Sequence, residues 1–293
     1  MKKMKAVAEG FDTCNGIGFR PFWRHEKVGV ANNQGDVVLE PKFSYLKILK
    51  FRSHSIYFIV QEDNKYQIYS GITTLSNFEL ADKNEYDFIE AVVVNEELYF
   101  KTTMASGCGL YQVAGIAGLD MLVPNEYAKV EVTDGDPKFF KAYPSLELDH
   151  FDLYGRDYFE AGILLAKDVR EYTWEKGYVN VTFADGENAL YGQGFKCVIE
   201  KGKHQIQPEN GFIRVIGDGS VAIHTWMGHK VSEDDSGQWK RFGELLVHII
   251  DKERTFYYSE GDKLDLSQFE DVREESEFVF VKSNGHWRLL WTV

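Results

Sequence analysis

Eight histidines are spread along this chain, at positions 25, 54, 150, 204, 224, 229, 248 and 286, and only His224 and His229 stand near each other. In the segment AIHTWMGHK they fall on opposite sides of an expected turn. Two imidazoles facing each other across a hairpin could hold a transition metal if a carboxylate completed the set. No HxH or HExxH spacing supports that chemistry, so they read as ordinary surface or rim histidines and no metal is expected. The acidic segments Asp134-Gly135-Asp136 and Glu233-Asp234-Asp235-Ser236-Gly237 could gather oxygen ligands, but neither follows the ligand spacing of a calcium loop. They read as turns. There is no GxSxG elbow, and Cys14, Cys108 and Cys197 lie far apart with no CxxC pair. The glycine-rich stretches NGIGF and LYGQGF are not followed by a helix opening with Lys-Ser/Thr, which argues against a phosphate cradle. Glycoside hydrolysis needs two suitably spaced carboxylates, but 46 acidic residues single out no pair. No residue is therefore assigned a catalytic role, and no cofactor is implied. Tryptophan is more informative, because exposed aromatic rings anchor partners and stack on sugars. Trp226 and Trp239 flank the acidic 233–237 loop. Together with His224 and His229, they are the candidate binding residues.

These side chains must be positioned by the elements around them, and those elements repeat. Windows of thirteen residues begin at Phe19, Tyr57, Tyr99, Tyr178, Leu246 and Phe278, with looser copies at Phe139 and Val221. Each opens apolar and aromatic, passes through polar turn formers such as Glu62-Asp63-Asn64, Ala184-Asp185-Gly186 or Ser283-Asn284-Gly285, and returns to apolar. That is the signature of a β-hairpin. Successive starts lie 38, 42, 40, 39, 43, 25 and 32 residues apart, a spacing typical of arrays of small units. An aromatic followed three residues later by an aliphatic marks a further strand, as in Phe43 with Leu46, Tyr86 with Ile89 and Tyr127 with Val130. A lone hairpin cannot bury its own aromatics, so the units must stack or close on one another.

The expected fold is all-β: hairpin or blade repeats of about 40 residues, closing into a propeller-like array of about six or seven units. An open β-repeat superhelix is the alternative. Residues 1–293 are expected to form a single β-repeat body, irregular around 160–177 and less regular after about 221. In LLAKDVREYTWEKG, Leu164, Leu165, Val169 and Tyr172 recur at helical spacing before Gly177, which predicts a short inserted helix.

Two stretches carry a family resemblance. KVGVANNQGDVVLEPKFSYL, from Lys27 to Leu46, and CGLYQVAGIAGLDMLVPNEYAKV, from Cys108 to Val130, resemble the bacterial WG repeat. Gly29, Gly35, Pro41 and Phe43 match its pattern in the first copy, and Gly109, Gly118, Pro124 and Tyr127 in the second. Val28 and Cys108 replace the Trp that gives the family its name. The resemblance implies tandem β-units in a bacterial protein that mediates binding, and it supplies no catalytic residues.

Composition bounds the partners. A formal charge of −13 disfavours nucleic acid and anionic membrane surfaces, which attract basic proteins. The start MKKMKAVAEGFDTC is interrupted by Glu9 and Asp12 and makes no convincing signal peptide. With three unpaired-looking cysteines, a reducing cytoplasm is the expected location. The functional expectation is a non-enzymatic scaffold presenting loops to a protein partner. The alternative is a propeller that binds or acts on carbohydrate through a central carboxylate pair, with a sugar or other small molecule as ligand.

Overall fold

The computed structural model describes residues 18–51, 55–72, 78–115, 118–133, 139–156, 160–251, 253–275 and 278–290. The Asp134-Gly135-Asp136 turn, Cys14 and Trp291 lie outside them. The chain is all-β: every described sheet is antiparallel, and the described residues contain no α-helix, only a single 3₁₀ turn at Gln193–Phe195. No helix among them is long and apolar enough to cross a membrane.

Strands run in sequence order as meanders. The first holds Phe19–Arg24, Lys27–Asn32 and Val37–Phe43; the second Tyr45–Phe51, Ser55–Glu62, Lys65–Ile72 and Phe78–Leu80. The third runs from Phe88–Val94 through Glu97–Met104 and Gly107–Ala114 to Gly118–Tyr127. A fourth contains Lys129–Val132, Phe139–Tyr143 and Phe151–Gly155, and a fifth contains Tyr178–Phe183, Asn188–Tyr191 and Cys197–Gly202. The thirteen-residue strand Ile163–Glu175 belongs to both, following the fourth and opening the fifth. Residues 205–232, 238–258 and 271–289 form the last three.

Compactness divides the chain into two units, Met1–Lys167 and Asp168–Val293, and the division falls inside that shared strand. In the first unit, one apolar cluster joins the first meander to the second (Val30, Phe43, Phe58), another the second to the third (Ile68, Tyr86, Phe100), and another the third to the fourth (Leu110, Tyr127, Phe140). In the second unit the same rule holds around Leu190 with Ile206, Ile223 with Leu246, and Phe256 with Val279. Among the described residues of each unit, these clusters thus bury the face of one meander against the next, which explains why a single one would be unstable.

One position shows how regular the design is. Val30, Ile68, Leu110, Leu153, Leu190, Ile223 and Phe256 occupy the same place on the second strand of their hairpins, and all are fully buried. Removing such a side chain from water contributes about 1.5–3 kcal/mol. In six of the seven, a ring follows: Tyr69, Tyr111, Tyr154, Tyr191, His224 and Tyr257.

Two expectations need correction. The predicted helix is the strand Ile163–Glu175. Its helix-like spacing comes from a bulge: the register against the next strand slips between Val169 and Glu171, and Asp168 sits at φ +57°. A bulge inserts one residue and turns the following side chains to the other face, which breaks the two-residue period of a strand. The apparent irregularity after 221 is a matter of register. The window at Val221 opens on the second strand of its hairpin, Ser220–Thr225, whose first strand is Phe212–Gly217. With starts at 178, 212, 245 and 278, the intervals become 34, 33 and 33 residues. The later units are shorter, and evenly spaced.

Candidate functional site

The strand Ser220–Thr225 leads, after Ile223 and His224, into a five-residue turn, Thr225–His229, whose geometry recurs elsewhere in the chain. The backbone N–H of Thr225 donates to the carbonyl of His229 at 2.8 Å, and that of Gly228 to the carbonyl of Thr225 at 3.0 Å. The same pair of bonds closes Asn32–Asp36 (2.9 and 3.1 Å), Phe183–Glu187 (2.9 and 3.0 Å) and Tyr258–Asp262 (2.9 and 2.9 Å). In these four the fourth residue is glycine, at φ +91°, +83°, +94° and +90° for Gly35, Gly186, Gly228 and Gly261; a fifth segment with the same two bonds, Gly192–Lys196, has a different backbone, with Gly194 at φ +64° and Phe195 at φ +57°. This is a type I turn followed by a glycine bulge, and glycine supplies the positive φ.

The four copies act as controls for one another. Their second and third residues are Asn33-Gln34, Ala184-Asp185, Ser259-Glu260 and, in this turn alone, Trp226-Met227. The fifth is Asp36, Glu187 and Asp262, against His229 here. One turn has therefore exchanged small and polar residues for two large apolar ones, and an acid for a histidine. Turn formation does not demand this, because three copies fold without it.

The surroundings hold the turn rigidly. The Tyr178 hydroxyl donates to the carbonyl of Trp226 at 2.9 Å, and the Thr225 hydroxyl donates to the carbonyl of Ser259 at 2.6 Å. A Cβ on Gly228 would come within 2.1 Å of the Val198 carbonyl oxygen. The Arg241 guanidinium lies over the Trp226 ring at 3.9 Å, while its Nε donates to the Gly243 carbonyl at 2.7 Å. Trp226 is half-buried by this packing; Met227 beside it is 56% exposed.

The four predicted residues have different placements. His224 is half-buried, and its Nδ1–H donates to the carbonyl of Gly228 at 2.8 Å, which fixes the tautomer. Burial pushes its pKa down, and the neighbouring Lys230, His204 and His229 act in the same direction. His229 is exposed, next to Gly261. Trp239 is a core residue, 8% exposed, stacked on His248 with centroids 3.9 Å apart and packed with Phe212, Ile223 and Leu246. His224, Trp226 and His229 thus share one turn, whereas Trp239 lies in the apolar cluster beneath. Among the described residues no three His, Cys, Asp or Glu side chains are grouped to hold a metal ion. Sequence reasoning missed Met227, Tyr178 and Arg241. The signal for Met227 was legible in the alignment of NNQGD, FADGE, TWMGH and YSEGD.

Comparison with known proteins assigns no family: no family model matches the chain, and no curated protein matches it. Among solved structures, it is similar to a prolyl endopeptidase at 11% identity over 90% of this chain and 46% of that one, TM-score 0.28. It is also similar to TolB from Acinetobacter baumannii (16%, 81% and 58%, TM-score 0.23) and to the dihydro-heme d1 dehydrogenase NirN (11%, 85% and 63%, TM-score 0.26). In all three cases the chain spans less than two thirds of the other protein's length.

Proposed function

We propose that this protein is a non-enzymatic interaction scaffold whose Thr225–His229 turn contacts a protein partner, and that its meanders serve as the blades of a propeller-type array. The blade reading rests on antiparallel meanders of three or four strands repeating along the chain, two of them joined through the shared strand Ile163–Glu175 into one seven-stranded sheet. One observation carries the binding reading: of four turns with the same backbone, a single one presents Trp and Met to solvent. Tryptophan backed by an arginine is a frequent anchor of protein interfaces, and methionine adapts to uneven apolar surfaces.

The test replaces the turn with the sequence of another copy, Trp226→Ala with Met227→Asp, as in Ala184-Asp185. Affinity capture from the native host with the unaltered protein should recover a defined partner, and the variant should recover at least about tenfold less, equivalent to about 1.4 kcal/mol. Thermal unfolding should show that both proteins are folded. Equal recovery by both would sink the proposal.

A further inference from the structure

Seven meanders share a detail that the eighth lacks. In each of the seven, the second strand of the hairpin is paired on both sides: Lys27–Asn32 lies between Phe19–Arg24 and Val37–Phe43, and Glu253–Tyr258 is joined on its far side by the short extended segment at 262–264. In the last meander this strand is His286–Leu289, and among the described residues nothing pairs with its far side. The register tells which groups are left open. Leu290 N–H donates to the Val279 carbonyl at 2.8 Å, so the next bonded pair is Arg288 with Val281, and the N–H and C=O groups of Trp287 and Leu289 point away from the sheet. An edge of this kind is a template for a further strand.

The side chains mark what would fill it. Leu289 stands eleven residues after Phe278, just as Ile68, Leu110 and Ile223 stand eleven after Tyr57, Tyr99 and Phe212. Those three are fully buried, whereas Leu289 is half-buried and Trp287, on the same face, is 36% exposed. In earlier meanders the neighbouring strand sets an aliphatic residue opposite this position: Leu39 against Val30, Val123 against Leu110, and Ile199 against Leu190. Charge narrows the choice. Arg288 is exposed, lies over the Phe269 ring at 5.8 Å and meets no carboxylate among the described residues.

We propose that the strand His286–Leu289 takes up an extended segment of a protein partner as an added antiparallel strand, with an aliphatic residue opposite Leu289 and an acidic residue directly after it, opposite Arg288. Backbone bonds supply the affinity, and these two side-chain positions supply the selectivity. The site shares no residue with the Thr225–His229 turn, and it goes beyond that contact by specifying the conformation and chemistry of what binds.

The chain itself provides a probe. Asp-Val-Val-Leu-Glu-Pro-Lys-Phe, residues 36–43, spans the far strand of the first meander, with Leu39 opposite Val30 and Glu40 directly after it. As a labelled synthetic peptide titrated with the full chain, it should bind one to one by fluorescence anisotropy. Leu39→Asp in the peptide should weaken binding at least about tenfold. So should Leu289→Pro in the protein, which removes an outward N–H that the sheet does not use, while thermal unfolding shows the variant folded. Amide exchange of the unaltered protein gives a second reading that needs no variant: Trp287 and Leu289 should exchange fast alone and at least about tenfold more slowly with peptide. Absence of binding at millimolar peptide overturns the proposal, as does binding that Leu289→Pro leaves unchanged, or exchange at these two amides that the peptide does not slow. Slow exchange at both amides without peptide overturns it too, because the chain would then cover this edge itself.

Discussion

The hydroxyl oxygens of Tyr127 and Tyr154 lie 2.8 Å apart, and that of Tyr127 is also 3.0 Å from Oδ2 of Asp152. Each hydroxyl has one proton, so Tyr127 donates to the carboxylate and Tyr154 donates to Tyr127. The rings pack edge-to-face at 5.9 Å, as do Phe43 with Tyr69 at 5.9 Å and Tyr86 with Tyr111 at 6.1 Å. This aromatic contact repeats through the first unit, and in the last copy it is wired to a buried aspartate.

Removing the Tyr127 hydroxyl leaves buried Asp152 short of a donor. Tyr127→Phe keeps the ring contact, so its expected cost is the hydrogen-bond term alone, about 1–3 kcal/mol. Urea unfolding of the two proteins at neutral pH measures it. A change within error would mean that the carboxylate finds equal bonding elsewhere.

The same cluster predicts alkaline sensitivity. Burial, first of all, raises the pKa of Tyr127 above the ordinary phenol range, and burial likewise raises Tyr154; Tyr99 and Tyr143 are pushed up to about 12. A group whose pKa is higher folded than unfolded stabilises fully below the unfolded value, about 10 for tyrosine, and loses that contribution as pH rises towards the folded value. Stability should therefore fall steadily above about pH 10. Tyr127→Phe should flatten that slope, and unfolding midpoints across the range will show whether it does.

His224 carries the opposite sign. Burial lowers its pKa, so the unfolded chain takes up a proton first, below about 6.5. Its contribution is complete above that pH and is lost as pH falls towards the folded value. His224→Asn should reduce the loss of stability between about pH 6.5 and pH 5. Denaturant titrations of both proteins at the two ends of this window decide the matter.

Much of the fold was legible because hairpins declare themselves locally. Asp63-Asn64, Asp218-Gly219 and Asn284-Gly285 all adopt the positive φ that a two-residue hairpin turn demands, and few other residues adopt it cheaply. The bulge at Val169 was not legible, since its helix-like spacing arises from a slip in pairing with a strand that follows it in the chain. The candidate site was half visible. His224, Trp226 and His229 were chosen for their chemistry, and the structure unites them in one turn; Met227 carries no chemistry of its own and stands out when the four turn sequences are set side by side. Trp239 shows the limit of reading residue types, because nothing local distinguishes a tryptophan that faces a partner from one that fills a core.

Glycine is required at position 228 for two separable reasons. Gly35 has nearly the same φ, +91° against +94°, but a Cβ there would meet nothing within 4 Å, whereas at Gly228 it would strike the Val198 carbonyl oxygen. Gly35→Ala should cost only the backbone term, about 1–2 kcal/mol. Gly228→Ala should cost clearly more, because backbone must move to relieve the clash. Thermal unfolding of both variants measures the difference, and equal costs would show that the strand at Val198 yields without penalty.

Trp226 and Trp239 should separate cleanly by experiment. Trp239 packs with Phe212, Ile223 and Leu246 and stacks on His248, so Trp239→Ala removes a large buried side chain, at an expected cost of about 3–5 kcal/mol. Trp226 is only half-buried and contributes mainly its contact with Arg241, a cation–π pair worth about 0.5–1 kcal/mol near the surface, so Trp226→Ala should cost much less. The binding effects should reverse this order. Trp239→Phe keeps an aromatic in the core and should leave partner capture intact, whereas Trp226→Ala should reduce it while the protein stays folded. If both substitutions lower stability and capture in parallel, the turn is merely part of the core, and the contact surface has to be sought elsewhere on the chain.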